Sequence, residues 1–146
     1  MKKHALLRSS QSGFSFLELL AALTILAIVV GIAAPAIFKN IAKGKTEAAK
    51  VEIASLEQAL NSFNLDCGFF PSTEQGLDAL IHPPTVGRPC KNYDAEGYLK
   101  KKSIPEDPFK QNYVYVSPGK HNPSSYDLYS IGSDNLDATE DDITNW

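Results

Sequence analysis

The sequence predicts an α+β fold. One long N-terminal helix, membrane-spanning in its first half and amphipathic in its second, packs on a small antiparallel β-sheet. Three observations carry this prediction. The 20 residues from Leu19 to Phe38 hold no charged side chain. A helical apolar stripe continues beyond them as far as Cys67. Short strand-like runs follow toward the C-terminus, punctuated by proline and glycine. The chain's 146 residues suit one small domain. The average composition, 43% hydrophobic and 21% charged, hides the charge-free run. That run excludes an ordinary soluble domain, and the lack of a second one excludes a polytopic membrane protein. With a net charge of −3 and scattered lysines and arginines, the chain has no basic footprint for nucleic acid.

The first element is the apolar helix. Residues 1–13 are basic through Lys2, Lys3 and Arg8, and the apolar run begins at Phe14. As a helix, Phe14–Phe38 spans roughly 37 Å, enough for a bilayer core of about 30 Å. A secretory signal peptide, with Gly31-Ile32-Ala33 as its small-x-small site, or a plain signal anchor would share this pattern. Neither explains Glu18. A carboxylate inside an apolar helix costs about 2.5 kcal/mol or more on insertion and normally has a partner. No lysine or arginine lies within one turn of it, so the partner belongs to another chain or to a new chain end. Pro35 predicts a kink or a locally melted stretch near Gly31–Pro35.

Gly13-Phe14-Ser15-Phe16-Leu17-Glu18-Leu19 resembles the cleavage and assembly motif of type IV pilins and of the pseudopilins of type II secretion systems. The resemblance implies a type IV pilin-like fold and a cut between Gly13 and Phe14 by a prepilin peptidase/N-methyltransferase. The new N-terminus becomes an N-methylphenylalanine at Phe14, and the apolar helix is retained in a chain of 133 residues. Glu18 is then the assembly residue, pairing in a helical homopolymer with a neighbour's new α-amino group. Charge alone leaves topology open, because Lys39, Lys43, Lys45 and Lys50 follow the span as Lys2, Lys3 and Arg8 precede it. The resemblance implies a cytoplasmic leader (1–13), an inner-membrane span (14–38) and a periplasmic head (39–146).

Beyond Phe38 the pattern turns amphipathic. Ala49, Ile53, Leu56, Leu60, Phe63 and Cys67 form one buried stripe, opposite Glu47, Lys50, Glu57, Asn61 and Asn64. The helix is expected to run to about Asp66 and to end on Gly68 in a left-handed cap. Ser72 and Gln75 have capping-box spacing, predicting a short helix to about Ile81, stopped by Pro83-Pro84. Residues 82–97 read as a loop. A Cys67–Cys90 bridge would tie that loop to the helix end, and an oxidising compartment suits it. Two free thiols or a metal pair remain the alternatives. Asn112–Ser117 and Ser125–Ile131 read as two strands of a hairpin with a long connection.

Several segments of the head look like the major, G-type pseudopilins. They are Phe70-Pro71-Ser72-Thr73-Glu74-Gln75-Gly76-Leu77-Asp78-Ala79-Leu80, Tyr98-Leu99-Lys100-Lys101, Asp107-Pro108-Phe109 with Tyr113-Val114-Tyr115, Tyr126-Asp127-Leu128-Tyr129-Ser130-Ile131-Gly132-Ser133-Asp134, and Asp141-Asp142-Ile143-Thr144-Asn145-Trp146. The resemblance implies a structural subunit of a periplasmic pseudopilus, working with minor pseudopilins and an inner-membrane assembly platform. A surface type IV pilus subunit is the alternative in the same class.

From Asp134 to Asp142 the chain carries five carboxylates in nine residues. Most such runs are solvated. Here Ile143 and Trp146 on one side and a strand on the other pin both ends, and a hard cation would relieve the repulsion. Oxygen donors suit Ca²⁺ better than zinc or copper. The spacing is not that of an EF-hand. The family resemblance implies one structural Ca²⁺, held by Asp134, by Asp141 or Asp142, and by backbone carbonyls near Ile131 and Leu136. This loop is shorter than the family version and lacks its glycines.

Two other classes fare worse. A tethered enzyme lacks a constellation: His4, His82 and His121 sit beside no nucleophile in a known catalytic spacing. A tethered binding module would use Tyr113, Tyr115, Tyr126 and Tyr129 to line a groove, but at strand spacing they read as sheet packing.

Overall fold

The computed structural model describes residues 13–146. The basic leader with Lys2, Lys3 and Arg8, and His4 with it, lies outside the described residues. They divide into two units, one ending at Asn40 and one formed by Ile41–Trp146. Helix α1 (Phe16–Cys67) contributes to both.

In the first unit, Ser15 caps the helix. Its hydroxyl accepts the Leu17 amide at 3.2 Å, and Glu18 Oε2 accepts the Ser15 amide at 3.0 Å, a reciprocal arrangement of the capping-box kind. The apolar side chains of this segment are exposed, Phe14 at 90% and Ile32 at 76%. Their richest stretch has a mean hydropathy of 2.6 with none of it buried, and the helix is long and apolar enough to cross a membrane. The helix continues unbroken through Pro35, so the locally melted stretch expected there is absent. Proline removes one bond, to the Gly31 carbonyl, and intact turns on both sides carry the helix across it.

In the second unit, α1 turns one face inward. Ala49, Ile53, Leu56, Ala59, Leu60 and Phe63 are buried, the stripe that the 3.6-residue period predicts with Ala59 added. The helix ends where Gly68 takes φ 76° and its amide bonds the Asn64 carbonyl at 2.8 Å. Cys67 and Cys90 form a disulfide. Phe63 sits in an aromatic cluster beside it, edge-to-face with Phe69 at 5.6 Å and Tyr98 at 5.4 Å.

Ser72 and Gln75 form their predicted reciprocal bonds: Ser72 N to Gln75 Oε1 at 3.0 Å and Gln75 N to Ser72 Oγ at 3.3 Å. The helix expected to follow is only a 3₁₀ turn, Leu77–Leu80. Gly76, at φ 60° and ψ −168°, interrupts any continuous helix between cap and turn. Gln75 is buried because its side-chain amide also donates to the Val86 and Arg88 carbonyls at 2.7 and 2.9 Å, pinning the proline-rich loop.

The sheet has three strands where the sequence predicted two. Strand β1 (Val114–Val116) pairs antiparallel with β2 (Asp127–Ser130), which pairs antiparallel with β3 (Ile143–Thr144). Register sets Tyr115 opposite Leu128 and Ser130 opposite Ile143, and all four are buried. The first two strands are shorter than predicted because their ends bond elsewhere. Asn112 bridges Glu106, Ser117 exchanges bonds with Thr73, and Ser125 closes a turn onto the Asn122 carbonyl. The four tyrosines line no common groove, although Tyr129 borders a pocket with His121 and Trp146. Tyr113, Tyr115 and Tyr126 are buried, and the first two donate their hydroxyls to Glu52 at 2.6 Å and to the Pro71 carbonyl at 2.7 Å.

Candidate functional site: helix start and C-terminal loop

Two places collect the predicted site residues, one in each unit. At the helix start, Gly13 is exposed and a Cβ there would meet nothing among the described residues. The fold gives no steric reason for glycine at this position. Phe14 is exposed, and Glu18 faces back toward the chain entry through its bond to Ser15.

The second place is the loop between β2 and β3. Its centre is the hydroxyl of Thr139, which the sequence reading did not single out. That oxygen lies 2.7 Å from Asp141 Oδ1, 3.3 Å from the Leu136 carbonyl, and 3.5 Å from both Asp134 Oδ1 and Asp142 Oδ1. Backbone amides hold the carboxylates from the other side. Asp141 Oδ2 accepts the Ser133 amide at 2.6 Å, the Ser133 hydroxyl at 2.9 Å and the Asp134 amide at 3.1 Å. Asp134 accepts from the Leu136 amide at 2.8 Å and Asp142 from the Ala138 amide at 3.0 Å. The Thr139 hydroxyl first, then the Ser133 groups and the Asp134 amide, hold the Asp141 carboxyl well below the usual carboxylate range. Both members of the Asp141-Asp142 pair face Thr139, while Glu140 is exposed. Ile131 follows β2 directly and is half-buried.

Every oxygen gathered here is a hard donor from a carboxylate, carbonyl or hydroxyl, the chemistry that suits Ca²⁺. Among the described residues, no three His, Cys, Asp or Glu side chains gather as a metal site by themselves. A cation here would have to draw on carbonyl and hydroxyl oxygen as well. Gly132 completes the fit. At φ 69° it lets Asp141 fold onto its Cα, where a Cβ would collide with the Asp141 carbonyl and carboxylate.

Buried polar anchors hold the loop's two ends. Asp107, 1% exposed, accepts the Phe109 and Gln111 amides and the Ser130 hydroxyl, and Ser130 Oγ accepts the Gly132 amide at 3.2 Å. Asn145 exchanges bonds with Leu128 and donates to Glu57 Oε1 on α1 at 3.2 Å. Trp146 stacks on His121 with ring centres 4.1 Å apart. His121 Nδ1 lies 3.4 Å from buried Asp127, which accepts the Lys120, His121 and Asn122 amides. Burial alone would raise the Asp127 pKa, but these bonds outweigh it and hold the carboxyl below its ordinary value. Tyr129, under Trp146, is pushed up to about 12, by burial first and then by Asp137. Sequence offered a weak signal for these anchors: Asp107 and Asp127 lie in the quoted family segments, but a lone polar residue beside a strand reads as solvent-facing.

Known proteins resemble the chain throughout. The family described as type II secretion system (T2SS), protein G matches residues 36–146, and the prokaryotic N-terminal methylation motif matches residues 8–34. The type II secretion system core protein G of Pectobacterium carotovorum subsp. carotovorum is 40% identical over 136 residues, 93% of this chain and 85% of the relative. Its namesake in Escherichia coli (strain K12) is also 40% identical, over 93% of this chain and 91% of the relative. The Pseudomonas aeruginosa protein of the same name is 38% identical over 95% and 97%. Among solved structures, the major pseudopilin from the type 2 secretion system of enterohaemorrhagic Escherichia coli matches with a TM-score of 0.67 and 36% identity. That match covers 74% of this chain and 87% of the other.

Proposed function

The chain belongs to the type II secretion system protein G family, and from that premise we propose that it is the structural subunit of a periplasmic pseudopilus. The subunit polymerises from the inner membrane and drives protein export by type II secretion. One observation carries the reading: a head of this family continues, on one helix, into an exposed apolar segment that starts with Phe14 and Glu18. The family match favours this role over that of a surface pilus subunit. The work is mechanical, and the side chains supply assembly contacts rather than covalent chemistry.

Processing prepares the subunit. A prepilin peptidase cuts between Gly13 and Phe14 and methylates the new terminus. Open space around Gly13 among the described residues fits this assignment, in which the glycine serves the enzyme. The cut frees an α-amino group two residues before the helix begins at Phe16. In a helical homopolymer, a neighbour's Glu18 exchanges its bond to Ser15 for that ammonium. Pairing offsets the burial of both charges and fixes the axial register. Minor pseudopilins and the inner-membrane assembly platform are the further partners, with the leader cytoplasmic and the head periplasmic.

One structural Ca²⁺ belongs to the C-terminal loop, held by Asp134, Asp141 and Asp142 with the Leu136 and Ile131 carbonyls. When bound, it supplies positive charge that neutralises the loop's carboxylates.

Intact mass of the purified chain and export of a type II substrate test the reading together. The expected mass is that of residues 14–146 plus one methyl group, and a strain lacking the protein should regain export when the chain is supplied. A chain that keeps residues 1–13 and still restores export would contradict the processing scheme. A processed chain that restores none would contradict the secretion role.

A further inference from the structure

We propose that Thr139 is a positioning residue of the C-terminal loop, its hydroxyl holding Asp141 in place among the oxygens that receive the divalent cation. The ligand in this inference rests on the calcium reading above; the geometry rests on the hydroxyl's own surroundings. Its oxygen has four acceptor oxygens within 3.5 Å: Asp134 Oδ1, Asp141 Oδ1, Asp142 Oδ1 and the Leu136 carbonyl. A hydroxyl carries one proton. The 2.7 Å contact to Asp141 takes that proton, leaving the other three oxygens facing lone pairs at 3.3 to 3.5 Å.

Such a cluster holds only because its outer side is tied down. The Ser133, Asp134, Leu136 and Ala138 amides each bond one of the three carboxylates. Ala138, immediately before Thr139, adopts φ 63°, a left-handed conformation that costs a residue with a Cβ about 1–2 kcal/mol. The chain accepts that conformation where it delivers the Thr139 hydroxyl to the acidic side chains. One proton cannot satisfy four acceptors, whereas a divalent cation drawn to the same oxygens can. Thr139 thus keeps the Asp141 carboxylate facing inward, beside Asp134 and Asp142 on their backbone amides, when no cation is bound, and lowers the ordering cost when one arrives. Removing the hydroxyl leaves three like charges with nothing between them.

The test uses the full-length chain in detergent as wild type, Thr139→Val and Thr139→Ser. Calcium binding is titrated by calorimetry after chelation, and backbone amide exchange is followed in chelator. Thr139→Val is expected to raise the calcium Kd roughly tenfold or more, the scale of a lost supporting contact at a metal site. The same variant should speed exchange of the Ser133, Asp134 and Ala138 amides while leaving Tyr115 and Leu128 protected. Thr139→Ser should keep both properties. A Thr139→Val chain with wild-type Kd and wild-type exchange overturns the proposal, as does one in which Tyr115 and Leu128 exchange just as fast. A wild type that takes up no calcium refutes the calcium reading and the cation half of this proposal with it. The exchange arm then decides separately whether Thr139 closes the loop.

Discussion

Gly132 and Asp127 show how single residues shape the end of the head. Gly132 combines φ 69° with a Cα face covered by Asp141, so Gly132→Ala meets a backbone penalty and a collision together. The expected loss is about 2 kcal/mol or more. It is read as a lowered melting temperature of the full chain, with weakened calcium binding beside it. Asp127 acts through charge. Its folded pKa is depressed, so its stabilisation is complete above the unfolded value of about 3.9 and is lost as pH falls through the folded value. Asp127→Asn should therefore melt below wild type between about pH 5 and 8, with the gap closing below about pH 4. A gap that stays constant into acid would refute the assignment. Neither role is visible in the sequence, where Asp127 is the polar member of an alternating strand and Gly132 one glycine among nine. Thr139 is hidden for the same reason: a hydroxyl becomes a hub only once the loop folds around it.

Elements differ in how far the sequence discloses them. The inner face of α1 is legible because a helix of this length repeats its period many times, and Ala49, Ile53, Leu56, Leu60 and Phe63 all fall where the period puts them. Short elements carry no such repetition. Strand β3 has two residues, too few for any alternation, and only the packing of Ile143 and Trp146 hinted at it. The turn after Ser72 kept its capping bonds but lost its helix to one glycine conformation at Gly76. The buried face of α1 gives the sharpest test of the element. Phe63 is 0% exposed and Leu65 is 83% exposed, two residues along the same helix. Phe63→Ala is expected to cost about 3–5 kcal/mol in urea unfolding, and Leu65→Ala no more than about 0.5 kcal/mol. Equal effects would mean that the face is misassigned.

For the whole molecule, the two units have opposite surfaces. The unit Ile41–Trp146 buries its core of Leu60, Phe63, Leu80 and Leu128, while the segment before Asn40 leaves its apolar side chains exposed. That contrast suits a subunit whose first segment is covered by lipid before assembly and by other copies afterward. Glu18, set among those side chains, is where the two environments would differ most, because lipid offers no partner and the proposed filament would bring a neighbouring chain end. The most direct measurement is electron microscopy of filaments sheared from cells that make the chain with a type II assembly system. Fractionation of the same cells for membrane-inserted subunit accompanies it. Wild type is expected to give filaments, and Glu18→Gln to leave processed subunit in the membrane with no filaments. Normal filaments from Glu18→Gln would contradict the account.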